Sequence, residues 1–412
     1  MPFLTVGSKM KKKVLLFCEL FFALVFTLTC IAPRGKVPEA NRSPRTKSAG
    51  QPKIRAAYFS YWANGSVSEL PVGIFTHMIY FYAPYGNVRD LASPGPNDGQ
   101  LRAFISYCRT NNIQPMISIA SGDWQPEVVA DSISATVHKI MVYCSYWGFL
   151  GVDIDFEFEK PNSNWILLIK RLRDSLDTRG PANRAISAYV TSSGVLDIEQ
   201  CWIPVQDDVT FLNVSAYDFI GTWNGYVTHY SPLYGGVVGG AGIDDSYKTW
   251  EATGFPMSKF CLGGTPNGQL WQGGTKCRLA DGSHFTDGAA WPGQIWSGGT
   301  SPNGQANQRY DVCMPGFQGY PILWDTMAQS SFISVDNPGS ANDKCFCFND
   351  GHTLARKWRY AVDSSLAGVY VWDAGTAYLI NNPPGQRWPV YREWADSLKT
   401  DLLRQAGKQG KR

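Results

Sequence analysis

Short apolar runs alternate with longer amphipathic stretches through most of the chain. Eight short apolar runs predict strands over 56–61, 77–83, 115–120, 151–157, 185–190, 211–217, 260–264 and 368–372. Apolar side chains recur at helical spacing in four intervening stretches, 101–110, 129–147, 165–176 and 354–362. Because crossover helices join parallel strands, this order predicts an α/β fold, and eight strands close a (β/α)8 TIM barrel.

The seventh and eighth predicted strands are separated by about a hundred residues. This segment begins at 265–271 and is rich in Gly, Asn and Trp. A connection of this length is usually functional or contains a small additional unit. We therefore expect a loop-rich insert between strands 7 and 8.

The two ends of the chain differ from its body. Four lysines in residues 9–13 precede an apolar run over 14–32, which is the order of an export signal. A cleaved signal peptide over 1–32 and an uncleaved membrane anchor through 14–32 both fit this run. Residues 33–54 predict a disordered linker, residues 55–398 the barrel, and residues 399–412 a basic tail. The body is expected to be extracellular, either secreted or anchored.

The net charge of +3 is unevenly distributed. Residues 1–54 hold ten Lys and Arg against two acids, and residues 399–412 hold five against one. The body between them carries 22 basic and 31 acidic residues. Because a nucleic-acid site needs a basic patch on the folded part, we predict no nucleic-acid partner.

Ten cysteines are present, and eight remain once the leader is set aside. An even number in an exported chain permits disulfides. We favour a Cys277–Cys313 pair inside the insert and expect Cys345 and Cys347 to contribute to another bridge. The alternative, buried apolar thiols, applies to Cys108, Cys144 and Cys261. The cysteines contain no Cys-x-x-Cys pair and the five histidines are scattered, so no metal or cofactor is predicted.

The run FLGVDIDFE at 149–157 carries the candidate chemistry. Side chains alternate faces along a strand, so Asp153, Asp155 and Glu157 share the face toward the barrel interior. Carboxylates this close repel each other in low dielectric, so at least one must hold a proton. Glu157 falls at the carboxyl end of the strand, where barrel enzymes keep their active sites. Because burying three neighbouring carboxylates is energetically costly, the arrangement indicates a function. Two alternatives are less favoured: the carboxylates could be structural and satisfied by hydrogen bonds, or they could bind a hard metal ion.

The same run resembles the signature of glycoside hydrolase family 18, the chitinases and their relatives. The pattern Asp-Gly-x-Asp-x-Asp-x-Glu is matched at Gly151, Asp153, Asp155 and Glu157, and Leu150 replaces the leading Asp. Further stretches resemble the family's first, second, third, sixth and eighth strands, namely 57–62, 75–80, 116–122, 214–219 and 368–372. The third strand has Ala120 and Ser121 where Gly is usual, and the sixth has Ser215 in place of Met.

This resemblance implies a substrate-assisted mechanism, in which the sugar's N-acetyl oxygen is the nucleophile. Glu157 would protonate the leaving oxygen and later activate water. Asp155 would hold the acetamido nitrogen, and Asp153 would share a proton with Asp155. Tyr217 would donate a hydrogen bond to the acetamido oxygen.

The resemblance also implies a set of residues that support or bind the substrate. Asp218 would orient the sugar, and Trp372 would form the floor under the reacting ring. Tyr58 and Ser118 would support Asp153 from neighbouring strands. Further tryptophans could line the cleft, and these are Trp62, Trp124, Trp223 and Trp271.

The expected function is hydrolysis of β-1,4-linked N-acetylglucosamine polymers, chitin or chito-oligosaccharides, by a monomeric enzyme without a cofactor. One alternative is an endo-N-acetylglucosaminidase that acts on N-glycans, or a hydrolase of peptidoglycan, since both substrates carry the N-acetyl group. Another is a lectin that binds chitin without cutting it, because fold alone does not fix function. Such relatives typically lack the acid, which is present here as Glu157.

Overall fold

A computed structural model describes residues 54–83, 98–120, 132–155, 162–178, 184–192, 200–220, 227–235, 241–272, 309–335 and 344–409. Its strands are β1 Ile54–Ser60, β2 His77–Phe81, β3 Gln114–Ala120, β4 Gly151–Asp155, β5 Ala185–Val190, β6 Phe211–Val214, β7 Phe260–Gly264, β8 Gln269–Gln272, β9 Leu323–Asp325, β10 Ser330–Val335, β11 Lys344–Phe348 and β12 Gly368–Val371. Its α-helices are α1 Asp98–Thr110, α2 Ile133–Trp147, α3 Ser163–Thr178, α4 Ile243–Ala252, α5 Tyr310–Cys313, α6 Gly351–Asp363 and α7 Pro389–Gln409.

Eight of the described strands close into a parallel barrel in the order β1-β12-β7-β6-β5-β4-β3-β2. The predicted (β/α)8 fold is thereby confirmed. Strands β5 and β7 have the predicted bounds, whereas β6 ends at Val214, three residues before the predicted end at Tyr217. Tyr217 therefore lies beyond the last paired residue, at the carboxyl end of the barrel.

Each barrel strand presents one face to the helices and one to the interior. On β4, Val152 and Ile154 pack in the same apolar layer as Leu168 of α3, as the alternation predicts. The interior contains a separate cluster that includes Met116 of β3 and Ala185 of β5. Asp153 lies on this interior face, because its hydrogen-bond partners come from other barrel strands.

The insert between β7 and β12 contains more order than the predicted loops. Its described part forms a four-stranded antiparallel sheet in the order β8-β11-β10-β9. These strands are only three to six residues long and carry many polar residues. The alternation of apolar and polar side chains that predicts a strand is therefore weak in this part of the sequence. The description of the insert as loop-rich was therefore incomplete.

Three of the described α-helices, α4, α5 and α7, were absent from the sequence prediction. Helix α4 follows β6, and α7 begins with Pro389, a residue whose fixed φ suits the first helical position. Helix α7 buries Val390, Trp394 and Leu398 at helical spacing. It then continues through the boundary that the sequence placed between the barrel and the basic tail.

Several predictions concern residues outside the described ranges. These are the leader over 1–32, the linker up to residue 53, and the cysteine partner Cys277, so the Cys277–Cys313 pair stays a prediction. None of the helices in the described part of the chain combines the length and the apolar composition that a membrane crossing requires.

The described cysteines allow two other predictions to be judged. The buried free thiols proposed as an alternative are confirmed for Cys108, Cys144 and Cys261. Cys345 and Cys347 are also buried and free, with their Sγ atoms 3.6 Å apart on one face of β11. The prediction that these two residues contribute to a disulfide is wrong, because both thiols are free.

Candidate active site

Asp153 lies fully buried in the barrel and accepts four hydrogen bonds from described residues. Its Oδ2 accepts from the Tyr58 hydroxyl at 3.0 Å and from Ser118 Oγ at 2.9 Å. Its Oδ1 accepts from Ser187 Oγ at 2.5 Å and from the Asn213 amide at 3.4 Å. The donors come from β1, β3, β5 and β6, so four strands fix this one carboxyl group.

Burial and hydrogen bonding act in opposite directions on this carboxyl. Burial raises the pKa of Asp153 to about 6, although hydrogen bonds from Ser187, Ser118, Tyr58 and Asn213 each lower it. Burial is the larger effect because a carboxylate is costly to remove from water. Asp153 can therefore gain or lose a proton close to neutral pH.

Tyr58 is held as a hydrogen-bond donor. Burial raises the pKa of Tyr58 well above its usual value, and the nearby charges of Asp153 and Asp155 raise it further. The Asn213 amide also donates to the Tyr58 oxygen at 3.1 Å. The phenol thus stays protonated and its proton is directed to Asp153.

Asp155 lies two residues further along β4, at the end of the strand. It pairs in register with Ala120 of β3 and Tyr189 of β5, and it is partly exposed. The interior face of β4 therefore carries one buried carboxyl and a second one nearer the opening. Glu157 and Trp223 lie outside the described residues, and their predicted roles stay predictions.

Tyr217 and Asp218 follow β6 at the carboxyl end of the barrel. Tyr217 is buried, and its hydroxyl accepts a hydrogen bond from Tyr370 of β12 at 3.2 Å. Asp218 has a left-handed backbone with φ of 59°, a conformation that Asp tolerates better than most residues. Its Oδ1 accepts a hydrogen bond from Tyr230. Burial raises the pKa of Asp218, and the Tyr230 hydrogen bond partly offsets this rise.

Trp372 follows β12 and packs edge-on against two interior aromatic residues. Its ring centroid lies 5.2 Å from that of Tyr58 and 4.8 Å from that of Phe81. Tyr58 therefore touches both Trp372 and the Asp153 carboxyl. The structure thus brings Trp372 together with Tyr58, Ser118 and Asp153 at one end of the barrel.

The other predicted cleft tryptophans differ in exposure. Trp62, just after β1, is 39% exposed and lies 5.6 Å from Phe81 between ring centroids. Trp271 is fully buried, and its indole N–H donates to the Thr228 carbonyl at 3.2 Å. Trp271 is therefore part of the interior packing and offers no face to a sugar. Trp124 lies outside the described residues.

Three site neighbours were missed by sequence reasoning. Ser187 and Asn213 both contact Asp153, and Tyr370 contacts Tyr217. A signal was present for the first two, because a polar residue in a strand that is buried on both faces needs a partner. The identity of that partner depends on strand register, which the sequence does not give.

A buried lysine links the site to the insert. Lys357 of α6 donates to Ser231 Oγ and to Asn349 Oδ1, both at 2.5 Å, and to the Gly263 carbonyl at 3.3 Å. Ser231 Oγ in turn donates to the carbonyl of Ala216, the residue before Tyr217. Burial lowers the pKa of Lys357 well below its usual value.

A histidine and an aspartate form another link between barrel and insert. His229 Nε2, in the segment after β6, lies 3.0 Å from Asp325 Oδ2 of β9. Burial by itself would raise the pKa of Asp325, but the hydrogen bond and charge of His229 and two backbone N–H groups lower it overall. The insert sheet is therefore joined to the segment that follows Tyr217 and Asp218.

The closed barrel and the carboxyl groups on β4 define a class, a (β/α)8-barrel protein with an acidic site at the carboxyl ends of its strands. Within the described ranges, no three His, Cys, Asp or Glu side chains are grouped so that they could hold a metal ion. The family model for Glycosyl hydrolases family 18 matches residues 54–377. The chain belongs to this family, as the sequence motifs predicted.

Curated relatives of this chain include a probable endochitinase of Caenorhabditis elegans, 23% identical over 412 residues. That match covers 89% of this chain and 63% of the relative, so the chain spans less than two thirds of the nematode protein. Endochitinase 1 of Metarhizium robertsii is 24% identical over 380 residues, covering 78% of this chain and 81% of the relative.

Solved structures with this fold include human YKL-39, a pseudo-chitinase with retained chitooligosaccharide-binding properties. It matches with a TM-score of 0.65 and 18% identity, covering 84% of this chain and 99% of that chain. The class V chitinase from Nicotiana tobaccum matches with a TM-score of 0.63 and 17% identity, covering 84% and 98%. At these identities the likeness concerns the fold alone.

Proposed function

We propose that this protein is a chitinase-type glycoside hydrolase that cleaves β-1,4-linked N-acetylglucosamine polymers and retains the configuration at the anomeric carbon. The observation that supports this proposal is the buried Asp153 carboxyl, held by four donors beneath the end of β4. Membership of the family and the chitinase names of several relatives agree with it.

In the proposed reaction Glu157 acts first as an acid and then as a base. It donates its proton to the glycosidic oxygen while the bond from that oxygen to C1 breaks. The carbonyl oxygen of the N-acetyl group attacks C1 from the opposite face and forms an oxazolinium ion. Water then loses a proton to the Glu157 carboxylate and attacks C1, which reopens the ring. Two displacements at C1 restore the original configuration.

The residues on β4 and after β6 would prepare the N-acetyl group for this attack. Asp155 accepts the hydrogen bond of the acetamido N–H and stabilises the positive charge of the oxazolinium ion. Asp153 shares a proton with Asp155, a role suited to a carboxyl with a pKa of about 6. Tyr217 donates to the acetamido oxygen, and its pKa lies well above the usual value because it is buried.

The remaining site residues would bind the sugar itself. Trp372 offers an aromatic face to the reacting ring, since apolar sugar faces stack on tryptophan. Asp218 accepts hydrogen bonds from sugar hydroxyls, and Trp223 extends the aromatic surface. The protein is proposed to act as a monomer outside the cytosol, secreted or anchored through residues 14–32.

The test is hydrolysis of fluorogenic chito-oligosaccharides by the full chain and by its Glu157→Gln variant. Loss of the proposed proton donor should lower kcat by about 10²- to 10⁴-fold or more, with unchanged thermal unfolding. Glu251→Gln on helix α4 is the matched control and should leave turnover unchanged. Equal turnover of wild type and Glu157→Gln would overturn the assignment of the acid.

Binding without hydrolysis is the second candidate function. Human YKL-39, which shares this fold, is a pseudo-chitinase that still binds chitooligosaccharides, so the fold is compatible with binding alone. Calorimetric titration with the same oligosaccharides separates the two candidates. Binding by a wild-type chain that releases no product would support the lectin. If neither binding nor release occurs, N-glycans and peptidoglycan are the substrates to test for an endo-N-acetylglucosaminidase or a related hydrolase.

A further inference from the structure

Tyr370 occupies an interior position that the family resemblance leaves without a role. It lies on β12, two residues before Trp372, and it is fully buried. Its ring centroid lies 5.8 Å from that of Tyr58 and 6.3 Å from that of Tyr217. Tyr370 is therefore in contact with both phenols that serve the proposed site.

The hydroxyl groups give this contact a direction. Tyr370 donates its proton to the Tyr217 oxygen, with 3.2 Å between the two oxygen atoms. A phenol has one proton to donate and an oxygen that accepts. Once Tyr217 accepts from Tyr370, its own proton must be directed to another acceptor.

Space for this arrangement comes from β7. Gly263 pairs in register with Tyr370, and a Cβ atom at Gly263 would lie 3.0 Å from the Tyr370 hydroxyl. The same atom would lie 2.7 Å from the backbone nitrogen of Ala216. The absence of a side chain at Gly263 thus lets β12 place its phenol under Tyr217.

We infer that Tyr370 is a positioning residue that holds Tyr217 as a hydrogen-bond donor toward the N-acetyl oxygen of the substrate. This inference rests on the proposed function, in which that oxygen attacks C1. Donation into the Tyr217 oxygen also polarises its O–H group, because hydrogen bonds in a chain strengthen one another.

The surroundings of Tyr217 agree with this role. Burial is the main cause that raises the pKa of Tyr217 well above its usual value. Tyr217 therefore keeps its proton at neutral pH. Tyr189 approaches the same phenol from β5, with ring centroids 6.4 Å apart, and closes the other side of the cluster.

The test is a double-mutant cycle on hydrolysis with Tyr370→Phe, Tyr217→Phe and the double variant of the full chain. Tyr370→Phe should lower kcat about three- to tenfold, the range of one neutral hydrogen bond, with KM within about twofold. In the Tyr217→Phe background, Tyr370→Phe should change kcat by less than about twofold, because the group that it positions is gone.

Tyr107→Phe is the matched control. It removes another buried phenol oxygen, which donates to the Leu70 carbonyl at 3.2 Å on the outer face of the barrel, and it should leave kcat unchanged. Equal kcat losses from Tyr370→Phe in both backgrounds, or no loss in either, would overturn the inference while the proposed function stands. A wild-type chain that hydrolyses no N-acetylglucosamine polymer would remove the proposed function and this inference together.

Discussion

Ser187 Oγ lies 2.5 Å from Asp153 Oδ1, the shortest hydrogen bond that this carboxyl receives from the described residues. The two residues are paired in register across β4 and β5. Ser118 of β3 pairs with Asp153 from the other side, so the carboxyl group has a hydroxyl donor on each neighbouring strand. The balance between burial and these donors sets the pH at which Asp153 ionises.

Replacement of Ser187 by Ala should raise the pKa of Asp153 above its value of about 6. Hydrogen bonds to the charged form lower an acid's pKa, and Ser187 contributes the largest lowering at this site. A hydrogen bond to a charged group contributes about 1.5–3 kcal/mol, which corresponds to about one to two pH units. The acidic limb of the pH profile of kcat/KM should move to higher pH by about this amount.

Ser145→Ala is the control for that measurement. Ser145 Oγ donates to the Met141 carbonyl within α2, away from every carboxyl of the site. Its replacement should leave the acidic limb in place. Identical limbs for wild type and Ser187→Ala would show that Asp153 does not control the profile.

Lys357 should make the fold more stable as the pH rises. Burial lowers the pKa of Lys357 in the folded chain well below 10.5. At a pH between that lowered pKa and 10.5, the Lys357 amine is neutral in the folded chain but still protonated in the unfolded chain. Stability rises with pH wherever the unfolded state binds more protons, here by up to about 1.4 kcal/mol per pH unit. In urea unfolding between pH 7 and 10, the wild type should show this slope relative to Lys357→Met, because the buried thiols contribute equally to the pH dependence of both proteins. Lys399→Met, at an exposed lysine, should keep it.

A Gly263→Ala substitution should destabilise the barrel by about 1–3 kcal/mol, the usual cost of overpacking. The added methyl group would lie 2.7 Å from Ala216 N and 2.8 Å from Val214 O, both of which are backbone atoms. Gly316→Ala, where nothing lies within 4 Å, is the matched control and should change stability by less than about 1 kcal/mol. Equal urea midpoints for the two variants would contradict the close packing of β6 against β7.

Five buried thiols should resist alkylation in the folded protein. They are Cys108, Cys144, Cys261, Cys345 and Cys347. Burial keeps a reagent away, and it also raises the pKa of Cys144 to about 12, so little thiolate is present. Mass spectrometry after maleimide treatment at pH 8 should find all five unlabelled before denaturation and labelled after it. A disulfide between Cys345 and Cys347 would contradict the structure of β11.

Much of the fold could be predicted from local patterns. The runs at 185–190 and 260–264 gave the observed bounds of β5 and β7, because a short apolar run is compatible with a buried strand of this length. The shorter strands of the insert lacked such a pattern. Strands β8 to β11 are stabilised by pairing with one another, which is a non-local effect.

The sequence by itself determined that Asp153 and Asp155 share one face of β4, because side-chain alternation is a property of the extended backbone alone. It also determined the family, since the motifs lie in the order that the family requires. Only the tertiary structure decided which groups meet these carboxyls. Ser187 and Asn213 are 34 and 60 residues from Asp153 in the chain, and the stagger of the closed barrel brings them within hydrogen-bonding distance. Register and closure are collective outcomes of all the barrel strands, and no local stretch of sequence specifies them.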